Sequence, residues 1–143
     1  MTVWRVSSRG QSSLELLVLT VVMLLFIAVV GGSAFLTFSE SVSSSMAMDS
    51  LRNIQTGINH SYALGPGNVL IVEIALPASV SDSNVGGLSG REVGFDLSSP
   101  FGVRNYFVYL DANVKGSLPV KGGAYKIKLV SLGSDVNISV VSG

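Results

Sequence analysis

Apolar and polar residues fall into three regimes along this chain. The first ten positions form a short polar leader whose only charges are the positive Arg5 and Arg9. From Leu16 to Ser39 no Asp, Glu, Lys, Arg or His occurs, and the stretch from Leu16 to Val30 is almost wholly aliphatic. About 20 such residues cross a bilayer as a helix, so this stretch is predicted to span a membrane. Positive residues ahead of it hold that end in the cytoplasm and place everything after it outside. The helical period persists where polarity rises: Leu51, Ile54, Ile58 and Tyr62 recur at intervals of three or four and share one face. The serines between positions 39 and 50 fit either a flexible neck or a polar helix surface. Gly65-Pro66-Gly67 then stops the helix, since proline lacks the amide and glycine readily leaves helical dihedrals. One helix from about residue 12 to about residue 64 would be on the order of 80 Å long at 1.5 Å per residue. Its weak point is Gly31-Gly32, where each glycine costs up to about 1 kcal/mol relative to alanine.

After Gly67 the pattern changes to short β-branched and aromatic runs separated by Gly, Ser, Asn and Asp. Val69 to Leu76, Glu92 to Leu97, Val103 to Leu110, Ala124 to Leu132 and Val136 to Val141 read as strands. In Tyr125-Lys126-Ile127-Lys128-Leu129 the lysines fall on one face and the apolar residues on the other, so one sheet face is wet and one is packed. Asp111-Ala112-Asn113 and Gly133-Ser134-Asp135 are predicted hairpin turns, with a further break at Lys121-Gly122-Gly123. The expected class is α+β: a long N-terminal hydrophobic helix, then a small antiparallel β-sandwich of Ig-like kind. Such strands are expected to fold from near Asn68 without the helix, unless Ile54 and Ile58 belong to their core. In that case the autonomous unit starts near Asp49.

Composition narrows the function classes. Of 143 residues 48% are hydrophobic and only 13% charged, and the formal net charge is zero. No basic field exists to collect phosphates, so nucleic acid is not an expected partner. Cysteine is absent, which removes disulfides, thiolate metal sites and cysteine nucleophiles together. His60 is the sole histidine and reads as a helix-surface residue. No Gly-x-Ser-x-Gly elbow, phosphate loop or His-Glu-x-x-His occurs, and Gly86 to Gly90 reads as a loop. The chain is therefore expected to be no enzyme and to need no cofactor or metal. Phe101, Tyr106, Phe107 and Tyr109 are read as sandwich core rather than a carbohydrate platform. Asn59-His60-Ser61 and Asn137-Ile138-Ser139 are N-glycosylation sequons, with Asn137 expected to be buried in a strand ladder.

At the junction of leader and apolar helix stands Arg9-Gly10-Gln11-Ser12-Ser13-Leu14-Glu15-Leu16-Leu17. It resembles the class III signal peptide of archaeal type IV pilins, where a basic residue and glycine precede a Gln-x-Ser-x-Glu core and the hydrophobic helix. The resemblance implies cleavage between Gly10 and Gln11 by an aspartic peptidase of the prepilin peptidase type. It divides the chain into a leader at 1–10, a helix at 11–64 that is transmembrane before assembly and filament core after it, and a β-rich headgroup at 65–143. Glu15 falls at the fifth mature position, which in pilin-like families is linked to assembly, so Gln11 and Glu15 become the assembly residues. The implied partners are further copies of the chain in a helical filament, a pilus assembly ATPase, a membrane platform protein and, before assembly, lipid. The implied location is a cell-surface adhesion pilus. An archaellin-like subunit, a single-pass anchored binding module that never polymerises, and a secretory signal cleaved near Gly31-Gly32-Ser33-Ala34 are the competing readings.

Overall fold

The computed structural model describes residues 8–142, so most of the expected leader lies outside the described residues. The elements in chain order are α1 (Ser8–Ala63), β1 (Val69–Leu76), β2 (Val80–Gly86), β3 (Glu92–Ser99), β4 (Gly102–Tyr109), β5 (Asn113–Gly116), β6 (Gly123–Ser131) and β7 (Asp135–Ser142). The chain divides into two compact units, one ending at Ser39 and the other starting at Glu40, and α1 contributes to both.

In the first unit the described residues are helix alone. Its residues from Arg9 to Ser39 are exposed around the whole circumference, because the aliphatic run has no polar face to turn toward water. An 18-residue window reaches a mean hydropathy of 2.8. Among the described residues the helix runs from Ser8 through Gly10 and Gln11.

The second unit is a two-sheet sandwich completed by the rest of α1. One sheet has the order β1-β6-β7-β5 and the other β2-β3-β4. Neighbours are antiparallel except β5 and β7, which run parallel with Val114 opposite Val136. The α+β class and the sandwich are as the sequence predicts; the parallel pair and strands β2 and β5 are additions to it. Asp111-Ala112-Asn113 makes no hairpin: it carries the chain from β4 across to β5 in the other sheet. The Gly133-Ser134-Asp135 turn does join a hairpin, closed by Leu132 N–H donating to the Asp135 carbonyl at 2.8 Å.

The helix fills the open side of this sandwich. Ala47, Leu51, Ile54 and Ile58 are completely buried against Ile74, Phe95, Ile127, Leu129 and their neighbours. Gly57 lets the strands approach: a Cβ there would stand 2.6 Å from Val72 Cγ2 and 2.8 Å from Leu129 Cδ1. Polar side chains on the same stretch reach the edge strand of each sheet. Ser50 Oγ donates to the Ala75 carbonyl of β1 at 2.6 Å, and Gln55 Nε2 donates to the Tyr109 carbonyl of β4 at 2.7 Å. Ser44 and Tyr106 share a hydroxyl hydrogen bond of 2.9 Å. Arg104 Nη2 adds an ion pair to Glu40 Oε1 at 3.3 Å, without hydrogen-bond alignment. The opposite side closes through Val114 N–H to the Gly90 carbonyl at 2.9 Å and Ser83 Oγ to the Leu118 carbonyl at 3.3 Å. The serine-rich stretch is thus helix, not neck, and the β unit starts at Glu40 rather than at residue 65. The helix ends where expected: Gly65 and Gly67 adopt φ of 90° and 86°, and Asn68 Nδ2 caps the Leu64 and Gly65 carbonyls at 2.8 and 2.9 Å.

Candidate membrane-facing and assembly segment

The apolar half of α1 solves a specific problem of a helix placed in hydrocarbon. Every buried polar group there must be satisfied from within, since no water is present. Ser33, Thr20 and Thr37 are hydroxyl residues within the charge-free stretch, and each donates back to its own helix. Thr20 Oγ1 reaches the Leu16 carbonyl at 2.8 Å, Ser33 Oγ the Val30 carbonyl at 2.9 Å, and Thr37 Oγ1 the Ser33 carbonyl at 3.0 Å. Just before the span, Ser13 Oγ donates to the Gly10 carbonyl at 3.1 Å. Such back-bonding is the ordinary solution for Ser and Thr inside helices. The segment is long and apolar enough to anchor the chain in a membrane.

Glu15 departs from this self-sufficiency. It lies within α1, and Gln11, Glu15, Val18 and Val22 recur at intervals of four, three and four, so they line one face. No hydrogen bond or ion pair holds the Glu15 carboxyl group among the described residues. Gly10 borders this face, one residue before Gln11, with open space where a Cβ would be. The structure therefore places Gln11 and Glu15 on one exposed helix face with Gly10 at its border, while the side chains of residues 1–7 fall outside the described residues.

The remaining candidates separate on exposure. His60 is exposed on α1, and among the described residues no group of three or more His, Asp or Glu stands close enough to hold a metal. The two sequons differ. Asn59 is half-buried and its Oδ1 accepts Asp111 N–H at 3.2 Å, while the Ser61 hydroxyl is fully buried. Asn137 is exposed, contrary to the sequence reading: its backbone sits in a central strand between β6 and β5, but its side chain points outward. The aromatic cluster also departs from expectation. Tyr106 is half-buried, yet Phe101, Phe107 and Tyr109 are more than half exposed. Phe107 and Tyr109 pack edge to face at 5.4 Å on the outer side of β4. Sequence alternation could not assign this strand, because Val103, Phe107 and Tyr109 on one face and Tyr106 and Val108 on the other are equally apolar. Comparison of the chain with family models, characterised proteins and solved structures finds no match in any of the three.

Proposed function

We propose that this chain is a non-enzymatic subunit of an extracellular filament of the archaeal type IV pilin kind, anchored in the membrane by the first half of α1 until it assembles. The observation that carries the reading is Glu15, a carboxyl group at the head of an exposed apolar helix face with no partner among the described residues. A carboxylate costs little at a lipid headgroup but several kcal/mol in hydrocarbon, of order 2.5–3.5 at the bilayer centre. Once helices leave the membrane and pack together, a cation from another copy is needed. Cleavage after Gly10 creates one, the new α-amino group of Gln11, one helical turn from Glu15 on the same face. The pair would recruit subunits and set their axial register, since a buried ion pair returns little net energy after desolvation.

Mutual burial of the aliphatic stretch would supply the holding energy. At roughly 25 cal/mol per Å² of apolar area, contacts along 20 residues outweigh a single ion pair. The deciding experiment is the N-terminal mass of the chain in sheared extracellular material. Gln11 at the start of filament subunits is the expected result. A chain found only in membranes, uncleaved and never in filaments, would establish a single-pass anchor instead.

A further inference from the structure

The two outer faces of the sandwich are oppositely charged and banded in the same order. On the first sheet the outward residues of edge strand β1 include Val69 and Ile71, both more than half exposed. Beside them on β6 stand Lys126 and Lys128, opposite Glu73 and Ile71 in register. Lys115 on β5 completes the basic set. Lys126 and Lys115 pair with Glu73 and Asp135 at 3.5 and 2.7 Å, which leaves Lys128 without an acidic partner among the described residues. On the second sheet the outward residues of edge strand β4 include Val103, Phe107 and Tyr109, again all more than half exposed, with Asn105 between them donating to Asp96 Oδ1 at 2.7 Å. Next to them on β3 and β2 lie Glu92, Asp96 and Asp82. Among the described residues no lysine or arginine shares that face: Arg104 is on the other side of β4 with Glu40, and Arg91 sits in the turn before β3, on Asn113.

Each face therefore runs from an apolar edge strand to a charged neighbour, with strands at the same spacing of about 4.8 Å. Both apolar edges, β1 and β4, border the helix, because Ser50 and Gln55 bond one to each. A second copy displaced along the sheet normal sets its β4 band on the β1 band of the first and its acids over the first copy's lysines. We infer that the outer β1-β6-β7 face of one copy docks on the outer β4-β3-β2 face of the next, a head-to-tail contact between headgroups. Such a contact uses two different surfaces and so propagates without closing on itself unless the rotation completes a ring. Exposed aromatic and aliphatic clusters rimmed by charge are the usual mark of a docking surface. The inference deepens the filament reading and rests on it for the presence of many copies side by side.

Absence of native cysteine makes the test clean. Asn137 on β7 and Asn84 on β2 are exposed on the two outer faces, Asn137 opposite Lys115 in register and Asn84 two residues along β2 from Asp82. The full-length chain carrying Asn137→Cys and Asn84→Cys, expressed in its membrane and treated with a short bismaleimide, should give a ladder of dimers, trimers and higher species. Each single variant should stay monomeric. In the double-cysteine chain, Lys128→Glu or Asp96→Lys alone should lower ladder yield about tenfold, and the two together should restore it. Filaments without a ladder would overturn the contact and leave the filament reading intact. Dimers from a single-cysteine chain would mean a two-fold contact and overturn it as well. A glycan on Asn137 in assembled subunits, which the contact has no room for, would do the same. A ladder in membranes that never yield filaments would uphold the contact and remove the filament reading; neither ladder nor filament removes both.

Discussion

Two single positions expose how tightly the β unit is specified. Gly57 lies inside a helix, where alanine is ordinarily better by up to about 1 kcal/mol. Here the missing Cβ is the space that Val72 and Leu129 occupy, and Leu129 is fully buried with nowhere to move. Overpacking a filled core costs typically 1–3 kcal/mol, so steric cost exceeds helix propensity. Gly57→Ala should destabilise the unit by about 1–2 kcal/mol, visible as a lower denaturant midpoint; a midpoint at or above wild type would refute the close approach. The second position is the Lys115–Asp135 bridge, which ties short strand β5 to β7. Its hydrogen bond and charge hold Asp135 below the usual carboxylate value and raise Lys115 above the usual lysine value. The depressed carboxyl contributes stability that is present above the ordinary carboxylate pKa and lost as pH falls through the lowered one. The raised lysine contributes stability present below its ordinary pKa and lost as pH climbs through the raised value. Both groups reach solvent, so the effect is small and screened by salt. Asp135→Asn should flatten the acid limb of the stability curve below about pH 4, and hydrogen exchange should report faster opening at Val114 than at Ile127. An acid limb identical to wild type would show that the bridge contributes nothing.

At the scale of elements, α1 has two halves with different solvents. Its second half buries Leu51, Ile54 and Ile58 completely, and each such side chain is worth roughly 1.5–3 kcal/mol. Three of them amount to about 5–9 kcal/mol, as much as an ordinary domain's whole stability of 5–15 kcal/mol. A chain beginning at Asn68 should therefore be unfolded or aggregated, whereas one beginning at Glu40 should be soluble, with dispersed amide resonances and a cooperative melt. A folded chain from Asn68 would show that the sheets close without the helix. The period of Leu51, Ile54 and Ile58 made this face legible in the sequence, as the clear alternation around Lys126 and Lys128 made β6 legible. Strand β2 was not legible: Ser81, Asp82, Ser83 and Asn84 have low strand propensity, and only pairing to β3 makes them extended. Strand β5 is too short to carry a pattern, and its parallel register with β7 depends on contacts distant in sequence. Gly10, Gln11 and Glu15 stood out in the sequence only through their resemblance to a class III signal peptide, and the outer faces of the sandwich were not legible at all. Phe107 and Tyr109 look like core in a one-dimensional pattern, and which side of β4 faces the helix is decided by Tyr106 bonding to Ser44.

For the molecule as a whole, the proposed function divides the labour between a hydrophobic stretch that holds subunits together and a single carboxyl group that orders them. These roles predict different failures. Glu15→Ala removes the acid but leaves the aliphatic surface and Gly10 in place. On the proposed reading it should be cleaved normally after Gly10 yet give few or short filaments, because register is lost while burial is not. Val22→Asp puts an acid into the middle of the span, on the same face as Glu15 but two turns deeper. There it meets only apolar neighbours, and at roughly 2.5–3.5 kcal/mol in each of many stacked copies it should abolish filaments altogether. Salt separates the terms further. A Debye length of about 3 Å at 1 M salt screens exposed pairs such as Lys126–Glu73, but aliphatic burial does not weaken with ionic strength and is favoured by excluded salts. Preformed wild-type filaments should thus persist at 1 M salt, measured by sedimentation and electron microscopy. Wild-type yield and length from Glu15→Ala would reduce Glu15 to an acid resting at the headgroups, and the recruitment role would fall. Dissolution of filaments by salt alone would place the holding energy in surface charge, and the aliphatic core would then be an anchor rather than a spine.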